Sequence, residues 1–193
     1  MTNELEPQRT SLDPVTIHAD LSEWIIKVTG ESNAIISEFD RPSGSGMSSE
    51  TLLFESTWGE AENEVHKKLV ARLAPTDQDI PVFPNYNLSS QVKVMKLVEQ
   101  LTDIKVPKVL WEEASIDVLG VPFFVMEQVQ GRVPPDIPPY VFGGWLFDAT
   151  PESQLQLQEL CVGIIAQLHQ IKQKSPDTDF LEFHTKGDTA LKR

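Results

Sequence analysis

A short run of small residues near the front of the chain has a composition that could do chemistry. It comprises Gly44, Ser45, Gly46, Met47 and Ser48. It lies shortly before the apolar stretch 51–54. Small residues let backbone N–H groups approach a bulky anion closely, and phosphate is the commonest such anion. The same composition also makes an ordinary hairpin turn. The rest of the sequence must therefore decide between a phosphate-binding loop and a plain turn.

The overall composition narrows the class of protein. The chain has 193 residues, of which 40% are hydrophobic and 23% charged, and these values are typical of a globular domain or a small two-lobed unit. Its net charge of −13 disfavours nucleic acid and anionic lipid as partners. A small anion such as a nucleotide stays possible, because a few N–H groups and one or two basic side chains suffice to bind it.

The lack of recognisable targeting signals and the cysteine usage predict a cytoplasmic protein. The sequence contains no apolar run long enough to predict a membrane span, and its first residues do not have the pattern of a secretory signal. The single cysteine, Cys161, cannot form an internal disulfide. Because it falls in an apolar helical pattern, we expect a buried structural thiol rather than a nucleophile.

Hydrophobic periodicity predicts an alternation of helices and strands. Helices are predicted at residues 18–28, 89–101 and 151–173, and strands at 34–39, 51–57, 69–75, 106–111 and 123–126. Asp20 or Ser22 is the expected cap of the first helix, Ser89 of the second and Thr150 of the third. Residues 58–68 are predicted to be a turn. The first three strands should form an antiparallel meander, and the fifth should be buried on both faces.

This order of elements resembles the amino-terminal lobe of protein kinases. Four segments, residues 44–51, 106–110, 122–131 and 166–169, resemble one branch of that fold. That branch is the aminoglycoside phosphotransferase and choline kinase-like "phosphotransferase family", whose relatives include the kinase-like half of some acyl-CoA dehydrogenase fusion proteins. The resemblance extends from about Trp24 to about Arg193.

The resemblance implies an α+β fold: a five-stranded antiparallel sheet with a helix, followed by a linker and the first helix of an incomplete helical lobe. It divides the chain into a flexible tail (1–17), a nucleotide-binding lobe (18–131), an inter-lobe linker (132–150) and the start of a truncated helical lobe (151–193).

The resemblance also implies the roles of individual residues. The run from Gly44 to Ser48 would cover the phosphates of ATP. Arg72 would occupy the place of the lysine that pairs with those phosphates, although a solvated strand arginine fits the residue equally well. The backbone C=O of Glu127 and N–H of Val129 would bind the edge of adenine. Gln91 aligns with the glutamate that normally holds the basic residue, so a hydrogen bond would replace an ion pair there.

Other parts of the family pattern are missing from the sequence. The intact family transfers the γ-phosphoryl group of ATP to a small-molecule hydroxyl with magnesium, using an Asp/Asn loop and a further aspartate. Asp188 follows a glycine but lacks the asparagine five residues on, so we assign no catalytic or metal-binding residue. His169 and Trp145 are better explained by packing. We therefore expect a nucleotide-binding fragment without phosphotransferase activity of its own, completed by a missing lobe or a partner chain. The alternative is a non-catalytic pseudokinase fragment or interaction module that docks on a partner.

Overall fold

The computed structural model describes residues 12–40, 50–76, 86–134 and 139–171, together with Phe180. These residues form an α+β fold with three α-helices and one antiparallel sheet. The elements are α1 (Pro14–Thr29), β1 (Ile35–Ile36), β2 (Glu50–Trp58), a 3-10 turn (Ala61–Asn63), β3 (Val65–Leu73), α2 (Leu88–Leu101), β4 (Val109–Glu113), β5 (Phe123–Glu127) and α3 (Pro151–Leu168).

The sheet has five strands in the order β1-β2-β3-β5-β4, and all neighbours are antiparallel. The first three strands form the predicted meander. The chain then leaves the sheet through α2 and returns as the edge strand β4, before β5 inserts between β4 and β3. As predicted, β5 is buried on both faces, since Phe123, Phe124 and Val125 are each at most 1% exposed.

The first helix starts earlier than the sequence predicted. Asp13, not Asp20 or Ser22, is its cap and accepts a 3.0 Å hydrogen bond from the backbone N–H of Thr16. Pro14 follows at the first helical position, where its missing N–H costs nothing. Residues 14–17, which were expected in the tail, therefore belong to α1. Gly30, with φ of 75°, ends the helix in the left-handed conformation that glycine favours.

Each face of the sheet is covered by a different helix. The apolar stripe of α1 (Ile17, Leu21, Trp24 and Ile25) packs on one face, against inward residues of β2, β3 and β5 such as Leu52, Ala71 and Val125. We call this the α1 face. Leu88 and Val92 of α2 pack on the other face against Phe124, and we call it the α2 face. Side chains alternate between the two faces along each strand because strand periodicity is two.

The strand β3 begins within the stretch that was predicted to be a turn. Its pairing with β2 runs from Trp58 opposite Val65 to Glu50 opposite Leu73. The charged residues at its start find partners across the sheet: Lys67 pairs with Glu127, and Lys68 with Glu55 at 3.2 Å. These ion pairs stabilise the charged residues at the start of β3 within the sheet. Hydrophobic alternation alone does not predict a strand there, because these residues are charged.

The remaining differences concern element ends. β1 is shorter than predicted, although an isolated bridge joins Asp40 to Leu53 further along. β4 is shifted to Val109–Glu113. Asn87, not Ser89, caps α2 and accepts from the N–H of Ser90.

The third helix is capped by Thr150 with Pro151 in its first turn, as predicted. It ends at Leu168, earlier than expected, because the next hydrogen bonds span three residues instead of four. None of its residues is buried. Cys161 is therefore exposed, and the prediction of a buried thiol is wrong. Apolar side chains of this helix are exposed as well, with Leu160 at 60% exposure and Ile165 at 53%.

Candidate functional site

Arg72 lies on the α2 face of the sheet. It is the eighth residue of β3, between Thr51 of β2 and Phe124 of β5 in the register. Phe124 belongs to the apolar cluster under α2, together with Tyr86 and Met126. Arg72 is only partly exposed, and the Nε atom of its guanidinium is buried. A cation in that position interacts more strongly with an anion than one fully in water does.

An apolar row lies next to Arg72 on the same face. Leu53, Val70 and Met126 are consecutive cross-strand partners on β2, β3 and β5. Val70 is 6% exposed, and the other two are half-buried. The row spans two strand spacings, roughly 10 Å, and lies roughly 7 Å along the strands from the row of Arg72. A flat aromatic ring can rest on such a platform while a group attached to it reaches the guanidinium.

The chain leaves β5 beside this apolar row. The side chain of Glu127, the last strand residue, pairs with Lys67. Lys67 lies on the α1 face, two residues along β3 from Leu69, so this ion pair is on the side of the sheet opposite Arg72. Two backbone hydrogen bonds of 2.9 Å hold the chain where it leaves β5. The N–H of Glu127 donates to the carbonyl of Lys108, and the N–H of Gln128 donates to the carbonyl of Lys68.

Val129 stands just beyond this fixed exit. Its side chain is 68% exposed, and its N–H donates to no backbone carbonyl in the described parts of the chain. A backbone donor of this kind can bind the edge of a heterocycle whatever the side chain is. The sequence-predicted roles of Glu127 and Val129 depend on backbone atoms, and the geometry of the exit is compatible with them.

Tyr86 is a neighbour of Arg72 that the sequence did not reveal. The Nη2 of Arg72 donates to the hydroxyl of Tyr86 at 3.4 Å. Tyr86 precedes α2 by two residues and lies between the predicted strand 69–75 and the predicted helix 89–101. Its ring packs with Leu88 and Phe124. Strand register and helix packing bring the two residues together from 14 positions apart, so no local pattern in the sequence signals the contact.

Gln91 lies in the first half of α2 and is half-buried. No hydrogen bond joins its side chain to Arg72 among the residues that the structure describes. Its predicted role as a replacement for the usual glutamate stays a prediction. The predicted phosphate loop, comprising Gly44, Ser45, Gly46, Met47 and Ser48, lies outside the described residues, as does Asp188.

Two residues that the sequence analysis attributed to packing are described. Trp145 is half-buried, donates through Nε1 to the carbonyl of Val133 at 3.1 Å, and has the guanidinium of Arg132 over its ring at 4.8 Å. These contacts are those of a packed segment. His169 is the C-terminal cap of α3 and is exposed.

A polar chain of side chains runs along the far end of the α2 face. Thr57 is hydrogen-bonded to Nδ1 of His66 at 3.0 Å, and Nε2 of His66 lies 2.7 Å from Glu64. A hydroxyl, an imidazole and a carboxylate in this order are able to activate a nucleophile. Here the side chains of His66 and Glu64 are 67% and 48% exposed, so water solvates both groups. We interpret these three hydrogen-bonded side chains as a surface network at the end of the β2–β3 hairpin.

No protein-family model matches this chain. Within the described ranges, no helix has the length and apolar character needed to span a membrane. In the same residues, no three His, Cys, Asp or Glu side chains converge to hold a metal ion.

Proposed function

We propose that this chain is the nucleotide-binding part of an ATP-dependent small-molecule phosphotransferase with a kinase-like amino-terminal lobe. One observation carries the proposal: Arg72 and the apolar row of Leu53, Val70 and Met126 share the α2 face in adjacent rows of the register. The guanidinium can bind a phosphate, and the apolar row can contact the ring of a nucleotide base. The chain that leaves β5 supplies a backbone N–H donor at the edge of this row.

The strand order and the position of α2 add support. The order β1-β2-β3-β5-β4, with a helix inserted between β3 and β4, agrees with the lobe expected from the sequence resemblance. α2 also covers the face that carries Arg72. The intact family would transfer the γ-phosphoryl group of ATP to a small-molecule hydroxyl. We assign only nucleotide binding, and no metal-dependent step, to the described residues.

Calorimetric titration of the full chain with ATP and with adenosine tests the proposal. We expect ATP to bind more tightly, because only ATP has phosphates for Arg72. Replacing Arg72 with alanine should weaken ATP binding by about tenfold or more, since charge-assisted hydrogen bonds to phosphate are lost. Adenosine binding should stay unchanged, because the apolar row is intact.

A matched control removes a positive charge elsewhere. Lys27 is exposed on α1, which covers the opposite face of the sheet. Lys27→Ala changes the net charge by the same amount as Arg72→Ala, but it should leave both affinities unchanged because Lys27 lies far from the α2 face. The proposal is wrong if the wild-type chain binds no ATP at millimolar concentration, or if Lys27→Ala weakens ATP binding as much as Arg72→Ala.

The exposed surface of α3 favours a second candidate, an interaction module that docks on a partner chain. The helix carries Glu152 and Glu159 but no basic residue, and none of its residues is buried. Apolar side chains in its second half, including Leu160 and Ile164, are 60% and 44% exposed. An apolar helical surface on the partner would suit this face.

The double substitution Leu160→Gln and Ile164→Gln tests the second candidate. It should abolish capture of a stable partner and lower the binding of a hydrophobic dye. The control is Ile35→Gln on β1, a residue that is 64% exposed but distant in sequence from α3, and it should retain the partner. Partner capture that depends on α3, combined with no binding of ATP, would favour the module over the nucleotide site.

A further inference from the structure

We propose that a groove beside the start of α1 binds a small organic cation, namely a primary ammonium group on an apolar body. The groove is open to solvent and has a volume of about 390 Å³, which is within the size range of small-molecule sites. It lies between α1 and the segment that follows β1. Its lining residues are Pro14, Val15, His18, Ala19, Glu38 and Phe39.

Two of the lining side chains are aromatic. The rings of His18 and Phe39 have their centroids 5.2 Å apart. Phe39 also meets Phe54 edge-on at 6.0 Å, and Phe54 is 3% exposed in the core cluster of the α1 face. Phe39 is therefore held against the core before any ligand arrives, and an aromatic ring attracts a cation placed over its face. The groove is on the side of the sheet opposite Arg72, so it is separate from the proposed nucleotide site.

A hydrogen bond determines which nitrogen of His18 can accept from a ligand. Nε2 of His18 lies 3.2 Å from the backbone carbonyl oxygen of Ser37. Because a carbonyl oxygen only accepts, Nε2 carries the hydrogen of the neutral ring and Nδ1 keeps its lone pair. Nδ1 has no hydrogen-bond partner among the residues that the structure describes. It is therefore available to accept from an N–H of the ligand.

The charge of the groove comes from Glu38. This residue is exposed, and its carboxylate forms no hydrogen bond or ion pair within the described ranges. The carboxylate of Asp13, at the same end of α1, already accepts from the N–H of Thr16. The lining has no Lys or Arg. A carboxylate and an imidazole acceptor without a basic side chain favour a ligand that is positively charged and donates hydrogen bonds.

Titration of the full chain with 2-phenylethylamine, followed by amide NMR spectra, tests the inference. 2-Phenylethanol and 3-phenylpropanoate serve as neutral and anionic probes of similar size. We expect the amine to bind at least about fivefold more tightly than either and to shift the amide resonances of Ala19 and Phe39. Glu38→Gln should weaken amine binding about fivefold, because a charge-assisted hydrogen bond is lost, and it should leave the weaker binding of the alcohol unchanged.

The matched control is Glu31→Gln, which removes the same charge just beyond the other end of α1. It should leave amine binding at the wild-type value. The inference is overturned if no probe binds at millimolar concentration, if the three probes bind equally, or if Glu31→Gln weakens amine binding as much as Glu38→Gln. The titrations contain no ATP, so a failure of the proposed nucleotide site would not affect their result.

Discussion

Trp24 of α1 donates a hydrogen bond of 3.2 Å through its indole Nε1 to the carboxylate of Glu113 at the end of β4. The indole is 4% exposed, and its ring meets Phe123 edge-on at 4.7 Å between centroids. Glu113 also accepts from the N–H of Ser115. One residue therefore joins the first helix, a central strand and the edge strand through apolar and polar contacts together.

Substitutions of Trp24 should separate these two contributions to stability. Trp24→Phe keeps an aromatic ring but loses the hydrogen bond, and we expect a loss of about 1–2 kcal/mol in the free energy of unfolding. Trp24→Ala also opens a cavity and should cost about 3–5 kcal/mol. Urea unfolding measures both. Trp145→Phe is the control, since its ring lies outside the sheet, and a change above about 0.5 kcal/mol there would contradict this assignment.

The cap of α1 predicts a pH dependence of stability. The hydroxyl of Thr16 donates to Asp13 at 2.7 Å, and its N–H donates to the same carboxylate. These hydrogen bonds hold the pKa of Asp13 below its ordinary value. Because the pKa of Asp13 is lower in the folded than in the unfolded state, the cap contributes its full stabilisation of the fold above the unfolded pKa of about 3.9. This stabilisation is lost as the pH falls through the pKa of the folded state.

Asp13→Ala should therefore be less stable than the wild type at pH 7, and the difference should shrink below about pH 4. Asp13→Asn keeps a capping oxygen without a titrating group, so its advantage over alanine should not change with pH. Urea midpoints at pH 7 and pH 3 measure both differences. A wild-type advantage over alanine that is the same at both pH values would refute the role of the carboxylate.

The turn after β2 depends on a glycine with a positive φ. Gly59 has φ of 90°, and a Cβ at this position would lie 2.6 Å from the carbonyl oxygen of Asn63. Asn33 holds the turn by donating to the carbonyl of Gly59 at 2.6 Å. Gly59→Ala should lower the free energy of unfolding by about 1–3 kcal/mol, as measured by urea denaturation. Gly131→Ala, where a Cβ meets nothing within 4 Å, should be neutral, and equal effects would argue against strain.

The backbone donor at Val129 can be removed without altering the apolar row. Val129→Pro deletes the N–H, whereas Val129→Ala keeps it. We expect the proline variant to bind ATP and adenosine about tenfold more weakly, because the base edge loses its partner. The alanine variant should bind both like the wild type. This pattern differs from that of Arg72→Ala, which affects ATP alone, and unchanged adenosine binding in the proline variant would exclude the backbone contact.

Much of the fold follows from local pattern. The apolar spacing of Leu21, Trp24 and Ile25 is typical of a helix, and the uninterrupted apolar run Phe123–Val125 is typical of a strand that is buried on both faces. Thr150 before Pro151 marks the start of α3 in the same way. These signals depend on neighbours within one or two turns of the chain, so the sequence by itself determined the type and order of the elements.

Tertiary structure decided what the local pattern left open. Lys67 and Lys68 lie within β3, where Glu127 and Glu55 of the neighbouring strands pair with them, and local propensity contains no information about such partners. The contact of Arg72 with Tyr86 likewise exists only once β3 and α2 are packed. Cys161 lies in an apolar pattern yet is exposed. Periodicity shows that a helix has an apolar face, but only contact with another element buries that face.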